Sequence, residues 1–102
     1  MRAQQHFGHV LRHERDKLAR TQRVIADMCE LDRSYIADLE RGVVNPSLVT
    51  ILSVAKALEL TPGQLMDKVD AAIRGDREYQ REQKRPRRGP KNQDDDAQES
   101  EL

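Results

Sequence analysis

The chain has 102 residues, 3% aromatic side chains, no Trp and a formal net charge of zero. This length allows one small domain with a tail, and the scarcity of aromatic residues favours packed helices over a sandwich or barrel. A single cysteine excludes an internal disulfide, and no apolar run is long enough to cross a membrane. No signal-peptide pattern opens the chain, so we expect a cytoplasmic protein with no membrane partner.

Three short helices are predicted in the first part of the chain. The first has an apolar stripe at helical spacing, formed by Phe7, Val10, Leu11 and Leu18. Thr21 is expected to cap a second helix of about two turns. The residues of this helix that point inward would be Ile25, Ala26 and Cys29. Asp32 is expected to cap a third helix, which Gly42 ends in a left-handed conformation.

Two further helices complete the predicted domain. The fourth begins at Asn45-Pro46-Ser47, with Asn45 or Ser47 as its cap. Its inward residues would be Leu48, Ile51, Leu52, Ala55 and Leu58. The fifth begins with a capping box in Thr61-Pro62-Gly63-Gln64 and continues through Leu65, Met66, Val69 and Ile73. The sequence therefore predicts an all-α fold, a compact five-helix domain over residues 1–75.

Residues 76–102 are expected to form a charged, disordered tail, because too little apolar area remains there to offset the entropy of ordering. Within this tail, residues 78–85 could be transiently helical. Residues 71–91 carry an excess of basic side chains, whereas the charged residues of 92–102 are all acidic. The run from Arg81 to Lys91 can be interpreted as a phosphate-binding arm or as a solubilising segment. The acidic end could compete with DNA for that arm or for the domain.

The second and third predicted helices are separated only by Glu30, Leu31 and Asp32, which is the spacing of a helix-turn-helix unit. In such a unit the second helix lies in the major groove of DNA, with its N-terminal residues facing the base edges. The outward side of residues 33–41 is polar. This polar row therefore has a candidate target in duplex DNA.

Several segments share the order and spacing of one known family. They are Phe7-Gly8, Leu11-Arg12, Thr21-Gln22, Ile25-Ala26, Arg33-Ser34-Tyr35-Ile36, Glu40-Arg41-Gly42, Asn45-Pro46-Ser47-Leu48 and Ala55-Lys56-Ala57-Leu58. From Phe7 to Met66 the sequence resembles the phage repressor and Cro-like helix-turn-helix regulators, also called the xenobiotic response element family. The stretch from Leu31 to Ile36 is also similar to the controller proteins of restriction-modification systems.

The resemblance implies a DNA-binding site and a function. Gln22 would contact phosphate and support the recognition helix, and Arg41 would contact phosphate. The positions facing the groove would be Arg33, Ser34, Ala37 and Asp38. Arg33 could donate to two acceptors on guanine, whereas Asp38 could accept from cytosine but would repel phosphate. The implied function is a sequence-specific transcription regulator that binds palindromic operators as a dimer.

Two positions depart from the family pattern. Glu30 occupies the turn position where the family usually has Gly, which would strain the backbone at a positive φ. Val43 and Val44 stand where basic or polar residues are frequent. Together with the neutral charge, these valines predict modest non-specific affinity and a shallow dependence on salt.

Two further contacts are expected, one within a subunit and one between two subunits. Arg15 and Glu40 match a pair that ties the first helix to the third, although from sequence alone they could equally be unlinked surface charges. The fifth helix ends the small domain and has no later helix to cover its far side, so the homodimer would form through it. In this interpretation Leu65 and Met66 point partly inward and Val69 and Ile73 outward, so the contact residues would be Met66, Val69 and Ile73. The half-sites would then lie about one DNA turn apart.

Other chemistry-bearing residues receive a structural interpretation. His6, His9 and His13 share one face of the first helix and are expected to be solvated, because no Cys, Asp or Glu joins them at metal-ligand spacing. Cys29 is expected to be a small core residue rather than a redox sensor. The sequence contains no recognisable catalytic grouping or phosphate-binding loop, so we expect neither an enzyme nor a cofactor.

Two rival functions stay open at this point. The protein could be an antitoxin that binds DNA and also sequesters a toxin, with its polar tail folding on that partner. It could instead be a protein-interaction module that reuses the helix-turn-helix fold. The neutral charge and Asp38 favour the second alternative.

Overall fold

The computed structural model describes residues 1–84, with side chains through Arg77. This part of the chain consists of five helices: α1 (Ala3–Lys17), α2 (Gln22–Cys29), α3 (Arg33–Arg41), α4 (Leu48–Ala57) and α5 (Pro62–Lys84). The predicted all-α, five-helix architecture is confirmed. None of these helices is long and apolar enough to span a membrane. The predicted acidic end and most of the basic run lie outside the described residues.

Side chains cap several of the helices as the sequence predicts. The Thr21 hydroxyl accepts a hydrogen bond from the Val24 amide at 3.1 Å at the start of α2. Thr61 and Gln64 form the reciprocal capping box of α5, with donor–acceptor distances of 2.9 and 3.0 Å. Each such bond satisfies an amide that the first turn of a helix leaves without a partner.

The other two caps refine the prediction. Ser47, rather than Asn45, caps α4, because its hydroxyl accepts from the Thr50 amide at 3.1 Å. Asp32 occupies the N-cap position of α3, but its side chain accepts no capping hydrogen bond. The predicted start of α3 is therefore right and the predicted role of the Asp32 carboxylate is wrong.

The core joins all five helices around α1, which packs against α3 and α5, while α2 packs against α3 and α4. The buried apolar residues are Phe7, Val10, Leu11, Ile25, Ala26, Ile36, Leu39, Val54, Ala55, Ala57, Leu58, Leu65 and Val69. At Gly8 a Cβ atom would collide with the carbonyl oxygens of Leu39 and Glu40. This glycine lets α1 approach the backbone of α3 closely. Gly42 ends α3 at φ 75°, as predicted.

Helix α4 buries only part of the face that the sequence predicts to be inward. Leu48 and Leu52 are 70% and 45% exposed, so their predicted inward orientation is wrong. The predicted burial of Ala55 and Leu58 is confirmed, Ile51 is partly buried, and Val54, which the prediction did not include, is also in the core. The prediction failed at Leu48 and Leu52 because α4 carries apolar residues on both sides. Apolar periodicity then does not define one buried face.

Helix α5 also differs from the prediction in its orientation. Val69 is buried within the chain, so the predicted outward position of this residue is wrong. Leu65 is fully buried, Ile73 is partly buried against the core, and Met66 is exposed. Val69 is used in the core of its own chain, which leaves it unavailable to a second subunit.

Helix α5 continues past Gly75, where the sequence placed the end of the domain, and reaches Lys84. His6 is buried rather than solvated, and its Nε2 atom lies 3.4 Å from the Asp76 carboxylate. A glycine in a helix costs only about 1 kcal/mol, which contacts on both sides of Gly75 can offset. No group of side chains among the described residues has the arrangement of a metal site.

Candidate nucleic-acid interface

The turn between α2 and α3 has the conformation that a helix-turn-helix requires. Glu30 adopts the left-handed conformation, with φ 57° and ψ 44°, which confirms the expected positive φ. The following Leu31 amide donates to the Ala26 carbonyl at 2.9 Å and closes the end of α2. A non-glycine residue in this conformation costs about 1 kcal/mol. This conformation of Glu30 sets the angle between α2 and α3.

Helix α3 is anchored from below and leaves its outer row accessible. Ile36 and Leu39 are fully buried on the inner side. Arg33 and Ser34, in its first turn, are exposed, and no described part of the chain covers them. Ala37 and Asp38, one turn later, are partly buried. The predicted groove-facing residues therefore share one accessible side of α3, which is most open at its N-terminal end.

Arg33 is held by a side chain of the neighbouring helix. One of its terminal nitrogens donates to the Gln22 Oε1 atom at 2.9 Å, and the Gln22 Nε2 atom donates to Glu40 Oε1 at 2.9 Å. An amide nitrogen carries two hydrogens, so Gln22 keeps one donor for another acceptor. The Gln22 side chain thus connects Arg33, at the exposed start of α3, with the buried Glu40 near its end.

Glu40 is the buried centre of this set of contacts. Arg15 of α1 donates to both of its carboxylate oxygens, from Nε at 2.6 Å and from a terminal nitrogen at 3.1 Å. The side chains are 12% and 5% exposed, which identifies them as a linked pair and removes the alternative of two separate surface charges. The hydrogen bond to Glu40 raises the pKa of Arg15 further above its ordinary value, so the guanidinium stays charged.

Asp38 and Arg41 form an ion pair with each other on the outer side of α3. The sequence prediction gave them separate contacts with base and phosphate and missed the pair, although their spacing of three residues places them on the same side of a helix. The pairing offsets the repulsion that a free Asp38 carboxylate would exert on phosphate. It also reduces the charge that Arg41 can offer to the DNA backbone.

A second exposed surface adjoins this unit on α4. Leu48 and Val49 are each 70% exposed and Leu52 is 45% exposed, and the helical spacing places the three on one side. We call these three residues the α4 apolar face. Sequence reasoning missed it because Leu48 and Leu52 were assigned to the core.

Cys29 lies near the end of α2 and is partly buried. Burial raises the pKa of its thiol, which favours the neutral form. A redox-sensing cysteine needs an accessible thiolate, and this environment works against one.

Comparison with known proteins gives this geometry a family. A family profile described as helix-turn-helix matches residues 11–65. Over 62 residues the chain is 42% identical to control protein C.BamHI of Bacillus amyloliquefaciens, a match that covers 60% of this chain and 76% of that protein. Over 38 residues it is 53% identical to the immunity repressor protein of Bacillus phage phi105. This match covers 37% of this chain and 26% of the repressor.

Solved structures show the same relationship. The restriction-modification controller protein C.AhdI of Aeromonas hydrophila superposes with a TM-score of 0.59 and 42% sequence identity, covering 61% of this chain and 94% of that one. The clp gene regulator ClgR of Corynebacterium glutamicum superposes with a TM-score of 0.70 at 23% identity, covering 80% of this chain and 89% of that one. The second likeness is evidence for the fold alone.

The exposed, braced α3 and the fold around it define the class of DNA-binding helix-turn-helix regulators. The matched profile covers more than half of the chain, and the chain belongs to this helix-turn-helix family. The resemblance to repressors and controller proteins that the sequence suggested is confirmed. The protein is accordingly a DNA-binding transcription regulator and not an enzyme.

Proposed function

We propose that this protein recognises specific DNA sequences and acts as a dimer on palindromic operators. The observation that carries the proposal is the accessible first turn of α3, where Arg33 is exposed and held by Gln22 at 2.9 Å. A side chain held in place before binding loses less conformational entropy when it meets its partner. This geometry fits a residue that reads the edge of a base.

Each site residue has a distinct role in the proposal. Arg33 donates to guanine in the major groove, and Ser34 beside it contacts a neighbouring base. Gln22 uses its remaining amide hydrogen to bind a phosphate while its oxygen keeps Arg33 in place. Ala37 lets the groove approach α3 closely.

The Asp38–Arg41 pair lies at the C-terminal end of the groove-facing row of α3. Asp38 accepts from a cytosine amino group, and Arg41 holds that carboxylate while its exposed edge faces a phosphate. Because the pair carries no net charge, it adds selectivity rather than general attraction to DNA.

The dimer forms through the α4 apolar face together with the exposed Met66 of α5. Leu48, Val49 and Leu52 would otherwise leave apolar area in contact with water, and removing that area from water favours association. Val69 plays no part because it is buried within its own chain. A two-fold arrangement of such subunits presents two copies of α3 to the two halves of a palindrome.

Selection of bound duplexes from a random pool tests the proposal. The full-length chain is expected to enrich one palindromic motif, and a shift assay at physiological salt should show tighter binding to that motif than to a scrambled duplex of the same length. Specific binding typically exceeds non-specific binding by at least about 10³-fold. Failure to enrich any motif would favour a module that binds protein instead.

A further inference from the structure

Arg15 is held by all three of its guanidinium nitrogens. Its Nε atom and one terminal nitrogen donate to the two carboxylate oxygens of Glu40, at 2.6 and 3.1 Å. The other terminal nitrogen donates to the Arg20 carbonyl oxygen at 2.8 Å. Because Arg15 is fixed in this way, it holds the Glu40 carboxylate in one place on the side of α3 that faces α1.

The neighbours of Gln22 allow only one orientation of its amide. A carboxylate accepts hydrogen bonds, whereas a guanidinium only donates them. Gln22 lies between one of each, with Glu40 on one side and Arg33 on the other. The Nε2 atom therefore faces Glu40 and the Oε1 atom faces Arg33, at 2.9 Å on each side. A reversed amide would place donor against donor at Arg33 and acceptor against acceptor at Glu40.

Arg33 keeps enough donors to bind a base while Gln22 holds it. A guanidinium carries five N–H groups, and the hydrogen bond to Gln22 uses one of them. Two of the remaining four are sufficient for the bidentate contact with guanine that the proposed function assigns to Arg33. The bond to Gln22 and the contact with the base can therefore exist at the same time.

From this series of contacts we infer that Glu40 is a positioning residue for base recognition. Its side chain is 5% exposed, so it acts through Gln22, whose amide it orients so that the Oε1 atom restrains Arg33. The same orientation requires a hydrogen-bond donor at position 33. A carboxylate inside the domain thus determines which kind of side chain the first turn of α3 can hold ready for the groove.

The restraint on Arg33 increases the discrimination between bases, and this inference rests on the proposed function. Immobilising a flexible side chain at an interface weakens binding about 2- to 12-fold. A free Arg33 would bear this cost when it bonds guanine, but not on a base that offers no matching acceptors. Release of Arg33 should therefore lower the preference for guanine about 2- to 12-fold at one position in each half-site. The preferences at other positions should stay unchanged.

The test measures the affinity of the full-length chain for a duplex selected from a random pool and for every single-base substitution of that duplex. Glu40→Gln allows the Gln22 amide to reverse, because a glutamine can donate as well as accept. The matched control is Glu14→Gln. The Glu14 side chain is similarly buried, at 8% exposure, but it pairs with Lys17 of α1 and Lys68 of α5 rather than with α2 or α3. We expect only Glu40→Gln to lower the preference for guanine.

A double substitution shows whether the effect of Glu40 passes through Gln22. The position read by Arg33 is identified as the one at which Arg33→Ala removes discrimination. In the Gln22→Ala background, Glu40→Gln should cause no further loss of preference at that position, because the connection to Arg33 is already broken. A purely structural role of Glu40 would instead weaken binding to all the duplexes by a similar factor, in both backgrounds.

Glu40→Asp is a second variant, for use if Glu40→Gln does not fold. It keeps a negative charge beside Arg15, but its side chain is shorter by one methylene group and cannot reach Arg15 and Gln22 together at the present distances. It should show the same selective loss at the position read by Arg33, whereas a loss spread evenly over all positions would contradict the inference. Circular dichroism and thermal unfolding establish that each variant is folded.

The outcomes separate the inference from the proposed function. The positioning role of Glu40 would be overturned by an unchanged preference for guanine in Glu40→Gln, by a uniform loss of affinity, or by an equal effect in the Gln22→Ala background. If the unmodified chain does not distinguish the selected duplex from a scrambled duplex of the same length, the proposed function fails instead. The same holds if Arg33→Ala leaves the base preferences unchanged.

Discussion

The outer sides of α3 and α4 differ in what they present to a partner. The outer side of α3 is polar, and its side chains are held by one another and by Gln22. The outer side of α4 presents Leu48, Val49 and Leu52 without any polar brace. A held, polar row suits the fixed pattern of donors and acceptors in a DNA groove, whereas an apolar row gains most from contact with protein. Under the proposed function, one small domain keeps separate surfaces for DNA and for its own copy.

The brace beneath α3 should have the largest effect on stability. Glu40→Ala leaves Arg15 without its partner in a site where the guanidinium is 12% exposed, and breaking such a pair costs about 3 kcal/mol. Urea denaturation measures this loss. Asp70→Ala, which breaks the exposed pair with Arg74, should cost less than about 0.5 kcal/mol. Equal losses for the two variants would show that the Arg15–Glu40 pair contributes no more than a surface contact.

The α4 apolar face should control assembly and, through it, affinity. Leu48→Glu with Leu52→Glu places charge in the proposed dimer contact and is expected to yield monomers. Loss of the second half-site should weaken operator binding about 100-fold, or about 2.7 kcal/mol. Light scattering measures the oligomeric state, and shift assays measure the loss of operator affinity. Val24→Glu, on an exposed apolar residue of α2, serves as the control for assembly, and dimers that survive in the double variant would refute this contact.

The turn between the helices should show a smaller effect of opposite sign. Glu30→Gly removes the strain of a side chain at φ 57° and should stabilise the fold by about 0.5–1 kcal/mol. Asp27→Gly, within α2, should instead destabilise it by about 0.3 kcal/mol, because glycine has a lower helix propensity than aspartate. The stabilities of the two glycine variants are compared by thermal unfolding. If both variants lose stability, the contacts of the Glu30 side chain stabilise the fold by more than its backbone strain costs.

The smallest effect is expected at Cys29. Burial raises the pKa of this thiol above its ordinary value of 9.0. The favourable contribution of the neutral thiol is therefore fully present below pH 9 and is lost as the pH rises through the raised value. At pH 8.5 iodoacetamide should modify the folded chain several-fold more slowly than the chain in urea. Faster reaction of the folded chain would revive the interpretation of Cys29 as a sensor.

The sequence predicted the helices well because their boundaries depend on local chemistry. Thr21, Gly42 and the Thr61–Gln64 box act on backbone groups within one turn, so spacing alone identifies them. Orientation was harder to predict. Leu48 was assigned inward and Val69 outward, and both assignments were wrong because burial depends on which helices pack together, information that no local window contains.

The candidate site was predicted in part. The residues of α2 and α3 follow from the helix-turn-helix pattern, and their exposure agrees with it. The resemblance implied that Gln22 supports α3, but its bond to Glu40 and the burial of His6 against Asp76 were missed, since both depend on side chains far apart in sequence. These connections are what turn a row of exposed residues into a preorganised surface.

The most direct test of the central proposal measures the base preference of the Arg33→Ala variant on the selected operator and on every single-base substitution of it. If Arg33 reads guanine, the change costs about 1–3 kcal/mol and removes discrimination at one position in each half-site. Arg12→Ala, an exposed arginine on α1, should leave that profile unchanged. A loss of affinity that is uniform across all sequences would contradict base reading by Arg33.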